Sequence, residues 1–75
     1  MIRRLQARRL TGRRVLVNTT TGEAFRGVVL HSGPFVLQVG NPDGSFDLVD
    51  GSTQGAAAGV ARIPRRIITW IQELP

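Results

Sequence analysis

Lysine, cysteine and tyrosine are absent from these 75 residues, and histidine occurs once, as His31. Each absence excludes a chemistry. Without cysteine there is no disulfide framework, no thiolate zinc cluster and no thiol nucleophile. Without lysine there is neither a phosphate-loop ammonium nor a Schiff base. A single histidine cannot build a multi-histidine metal site, and with no second base or nucleophile beside it His31 reads as a solvated turn residue. Asp43, Asp47 and Asp50 with Ser45 fall short of a calcium loop, because Phe46 and Leu48 occupy the intervening positions and no acid follows at the required distance. The sequence thus points away from an enzyme and calls for no metal and no cofactor. No apolar run approaches the roughly 18 residues of a membrane span, and no charged-then-apolar leader opens the chain, so neither a membrane partner nor secretion is expected.

What the chain does contain is arginine, unevenly placed. Arg3, Arg4, Arg8, Arg9, Arg13 and Arg14 fall in the first fourteen residues, which hold no acid. Such an arm suits polyanion contact, since each neutralised phosphate releases condensed counterions. Arg65 and Arg66 form a second basic pair. The alternative reading, a solvated face or contact with acids of a neighbouring subunit, stays open. A chain this short buries only about 60% of the surface its unfolded form exposes, so without disulfide or metal it is expected to rely on oligomerisation.

The segment 1–10 combines good helix formers with no glycine or proline, and Met1, Ile2 and Leu5 share one side at helical spacing. A short basic helix or arm is predicted over 1–12, ended by Gly12. From Arg13 onward β-branched residues alternate with turn formers, the pattern of an all-β domain over 13–75. Strands are predicted at 13–20, 23–31, 35–39, 46–49, 60–63 and 67–72, with the fourth run extending a hairpin. Tight turns fall at Thr21-Gly22 and Asn41-Pro42-Asp43-Gly44. Gly27 marks a bend or close backbone approach inside a strand. The stretch 50–59, poor in bulky apolar residues, reads as a mobile contact loop. Phe35, Phe46 and Trp70 read as core residues, with base stacking as the competing role.

The run Val15-Leu16-Val17, then Thr21-Gly22-Glu23 and Phe25-Arg26-Gly27-Val28-Val29, followed by Ile63-Pro64-Arg65-Arg66-Ile67-Ile68-Thr69-Trp70-Ile71, resembles the two signatures of the Sm-like family of small β proteins. The resemblance spans residues 3–73. It implies a short N-terminal helix followed by a five-stranded, strongly bent SH3-like barrel, whose last strands pair between subunits to form a ring. Val60, Ile63, Ile67, Ile68, Trp70 and Ile71 would then line the subunit interface. The loop His31-Ser32-Gly33-Pro34 lacks the acid, and Phe35-Val36-Leu37 the asparagine, that RNA-binding members carry, and the basic pair Arg65-Arg66 lacks their glycine. The family's uridine pocket is therefore expected to be missing.

These features together resemble Sm-like proteins encoded by bacteriophages. The expectation is a non-enzymatic, homo-oligomeric ring acting as a virion ring or capsid-decorating part, located in the virion or the cytoplasm of a bacterial cell, with other structural proteins as partners. The alternative is an RNA-binding module that uses Arg3, Arg4, Arg8, Arg9, Arg13 and Arg14 in place of the lost pocket.

Overall fold

Alternation along the chain sorts the sheet into two faces. In β1 (Arg14–Thr19), Val15, Val17 and Thr19 are buried while Arg14, Leu16 and Asn18 between them are not, as successive side chains of a strand point to opposite sides. The computed structural model describes residues 10–75. Beyond β1 it contains β2 (Glu23–Ser32), β3 (Val36–Gly40), β4 (Ser45–Asp50), β5 (Thr53–Ala58), β6 (Ala61–Pro64), a single 3-10 turn at Arg65–Ile67, and β7 (Ile68–Glu73).

The ten-residue strand β2 organises the rest. It pairs antiparallel with β1 on one side; on the other its first half meets β4 and its second half meets β3. Gly27 makes this sharing possible. A Cβ there would lie 2.9 Å from Val39 Cγ1 and 3.3 Å from the Gly40 nitrogen, so only glycine lets the strand come this close to the end of β3. The main path runs β5-β4-β2-β1-β7, with β3 and β6 as a branch beside the second half of β2. Val15, Val17, Val29, Leu37, Val39, Ala61 and Ile63 form the buried core, against which Leu10, Phe25, Phe46, Ile67, Ile68 and Ile71 pack.

This architecture corrects the expected fold class. Seven strands replace the five strongly bent ones, and the sheet is open: β5 and β7 stand at its two ends and do not pair with each other. The turn at Asn41–Gly44, closed by the Gly44 N–H donating to the Asn41 carbonyl at 3.0 Å, separates β3 from β4, and Gly59 at φ 100° separates β5 from β6. The expected mobile loop at 50–59 is a hairpin instead. Its small side chains contribute little, but the two-residue turn Gly51-Ser52, with Gly51 at φ 64°, sets the register in which Thr53 to Ala58 pair with Asp50 to Ser45. Of the N-terminal helix or arm predicted over 1–12, residues 1–9 lie outside the described residues; Leu10 lies in a turn, its carbonyl accepting from Arg13 N–H at 2.8 Å, and Thr11 forms a bridge with Val29. Among the described residues there is no α-helix.

Candidate functional site

Several of the arginines singled out above are engaged within the chain. Arg13 Nη1 lies 2.6 Å from Glu73 Oε2, tying the start of β1 to the end of β7, with both side chains about half exposed. An exposed pair of this kind stabilises by about 1 kcal/mol at most. Arg65 donates from Nε to the Gly33 carbonyl and from Nη2 to Ser32 Oγ, while its backbone N–H donates to the Phe35 carbonyl at 2.8 Å. Its guanidinium braces the β2–β3 turn. Arg14 and Arg66 are exposed, as is Arg62 on β6, and none of the three has a carboxylate in ion-pair range among the described residues. Arg3, Arg4, Arg8 and Arg9 lie outside the described residues.

The six apolar residues expected at a subunit interface do not share one environment. Ile63 is 1% exposed and belongs to the chain's own core, and Ile67, Ile68 and Ile71 are half-buried against that core. Only Val60 and Trp70 are exposed, Trp70 to 54%. Trp70 pairs in register with Asn18, on the last strand of the open sheet.

Sequence reasoning missed two features. Leu30 sits at the register shift between Val29 and His31 and is exposed, resting 3.1 Å from where a Cβ of Gly40 would be. Phe35, read as core, is 80% exposed. The signal lay in Gly33-Pro34, which places Phe35 in the turn and leaves β3 to start one residue later. The Gly33 N–H donates to the Val36 carbonyl at 3.0 Å and Arg65 Nε donates to the Gly33 carbonyl, fixing the turn that carries Phe35. Phe35→Ala should therefore change stability by no more than about 0.5 kcal/mol. A urea melt checks this, and a loss above about 1.5 kcal/mol would mean that the ring is buried.

Among the described residues no group of three His, Asp or Glu side chains is placed to hold a metal. His31 is exposed on β2.

No protein-family profile matches this sequence, and no curated protein matches it. A chain in the crystal structure of the NatC complex bound to CoA shares the fold, with a TM-score of 0.70 at 19% identity, over 91% of this chain and 80% of that one. The likeness is one of fold. A small, open, all-β fold therefore stands, without the closed barrel. The bacteriophage reading does not: the matching chain belongs to the NatC complex and not to a virion ring or a capsid decoration. The homo-oligomeric ring is corrected on the same finding, the matching chain being part of the NatC complex. The virion and the bacterial cytoplasm fall as locations on the same finding.

Proposed function

We propose that this chain is a non-catalytic accessory subunit, held in a complex with a different protein through the open ends of its sheet. The observation that carries the reading is the sheet path itself: it starts at β5 and stops at β7, and neither strand has a partner on its outer side among the described residues. Open edges offer rows of unpaired N–H and C=O groups that a partner can cover. Eight buried hydrophobic residues make a small core for the described chain, and pairing with a partner adds burial that the core lacks. The fold likeness to a chain that belongs to a complex supports the same reading.

A second reading, nucleic-acid contact, draws on charge. Arg14, Arg62 and Arg66 are exposed without a carboxylate partner among the described residues, in a chain of net charge +5.

Purification of the chain from its native source should give a stoichiometric assembly with a different protein, in which backbone hydrogen exchange of β5 or β7 is slowed relative to the isolated chain. A lone 8.2 kDa species that gains no protection would overturn the accessory-subunit reading. A nuclease-sensitive assembly, whose affinity for single strands falls with salt at a slope near 0.7 per phosphate contacted, would favour the second reading instead.

A further inference from the structure

Three strands, β5, β6 and β7, have an unpaired outer edge among the described residues, and β5 is set apart from the others by its chemistry. The stretch 41–59, which contains β4 and β5, carries Asp43, Asp47 and Asp50 and no basic residue, in a chain of net charge +5. Asp47 is met by Arg26 at 3.1 Å. Asp50 is not. It stands opposite Glu23 in the β2–β4 register, two carboxylates side by side with no cation in ion-pair range among the described residues. Like charges directly opposite each other destabilise a strand pair, and an added cation would relieve them.

Next to this acidic row lies an apolar one that stops short. Phe25 pairs with Leu48, and Leu48 with Gly55. Phe25 and Leu48 are half-buried, yet nothing comes within 4 Å of the position a Cβ on Gly55 would take. The row therefore ends in a notch at the sheet edge, beside Leu48.

The backbone completes the arrangement. In a hairpin with a two-residue turn the flanking residues exchange both hydrogen bonds, here Asp50 and Thr53, and the pattern then alternates. The Gly59 N–H donating to the Gly44 carbonyl at 2.7 Å continues that alternation past the strand end. Gln54, Ala56 and Ala58 consequently direct their N–H and C=O groups away from β4. The strand has no proline, no charged side chain and no bulge, the devices that ordinarily protect an edge.

We propose that the outer edge of β5 takes up an extended segment of a different protein as an added strand, the segment carrying an arginine or lysine and a large aliphatic residue two positions apart. The spacing follows from the pleat. Thr53 and Gly55 lie on one face, so residues opposite them bring a cation across Thr53 toward Asp50, the outer member of the acidic pair, and an aliphatic side chain to the notch beside Leu48. This rests on the accessory-subunit reading and names the chemistry of the partner.

The test uses the full chain and a short synthetic peptide of threonines with arginine and valine two positions apart. One control peptide has glutamate in place of arginine, and another has proline at alternate positions. At about ten times the dissociation constant, the amides of Gln54, Ala56 and Ala58 should exchange about tenfold more slowly, with no change in β7. Asp50→Lys should weaken the arginine peptide about tenfold and favour the glutamate peptide. Ala56→Pro should abolish the protection while leaving the circular dichroism melt unchanged, because it removes an outward N–H and no ladder bond to β4. Absence of protection, or equal protection by the glutamate peptide, overturns the proposal. So does protection already present in the isolated chain and lost on deleting residues 1–9, which would assign the edge to the chain's own arm. If the peptide fails while the native assembly is still recovered, the proposal falls alone; a lone chain whose β5 takes the peptide removes the assembly and leaves the edge site.

Discussion

A Gly27→Val chain is expected to lose about 3 kcal/mol of stability, the upper end of what overpacking a core costs. The new Cβ would sit 2.9 Å from Val39 Cγ1 and 3.3 and 3.4 Å from the Gly40 nitrogen and carbonyl carbon. Val39 cannot yield, since it is fully buried and its branched side chain has little rotamer freedom. The Gly40 backbone cannot yield either without breaking its register with Val28. For a domain of this size the loss corresponds to a fall in Tm of roughly 15 °C. Against a total of about 0.05–0.15 kcal/mol per residue, it leaves a fold that is partly unfolded at modest temperature. Thermal melting followed by circular dichroism measures it. An unchanged Tm would mean that β2 does not approach the end of β3 as described.

Leu37→Ala is expected to cost about 2–5 kcal/mol, the transfer term for the removed atoms together with the cavity they leave. Leu37 is fully buried and pairs in register with Ile63, so truncation opens a hole between two of the largest core side chains. Leu37→Met, which keeps the volume, should cost less than about 1.5 kcal/mol. Urea titration distinguishes these outcomes, with the midpoint moving and the slope holding. A loss below about 1 kcal/mol in the alanine variant would show that the site collapses around the deletion or that β3 is not central. The contrast with Phe35, two residues earlier and exposed, is the sharpest available check on where β3 begins.

Much of the strand placement was legible, because it depends on local alternation. The predicted segment at 23–31 differs from β2 by one residue, and the turns at Thr21-Gly22 and Asn41–Gly44 fall where glycine, asparagine and proline place them. What misled is also specific. Thr53 to Ala58 has no bulky apolar residue, and its strand character comes from a register imposed by the turn at Gly51-Ser52, a tertiary effect that local propensity does not report. Phe35 looked like core because aromatic residues are scarce in this chain. Its exposure follows from Gly33-Pro34, which keeps it in the turn ahead of β3, a local signal outweighed by that scarcity. The resemblance to the Sm-like family supplied the small β fold and also the ring, and the ring was the part that depended on partners rather than on this chain's residues. Among the arginines, Arg13 and Arg65 drew attention as free charge, while their partners Glu73 and Ser32 become visible only once β7 lies beside β1 and the 3-10 turn beside the β2–β3 turn.

The pairing of β1 with β7 joins Val15 to Glu73 and Thr19 to Ile68, the two ends of the described chain. Contacts this distant in sequence must pay loop closure before they return anything, which slows folding. During synthesis the consequence is sharper. A ribosome makes β1 well before β7, so Val15 and Val17 have no strand on that side until Ile68 to Glu73 have been made. A premature stop codon that removes Ile68 onward would leave a chain whose first strand never finds this neighbour, its edge open to pairing with other chains.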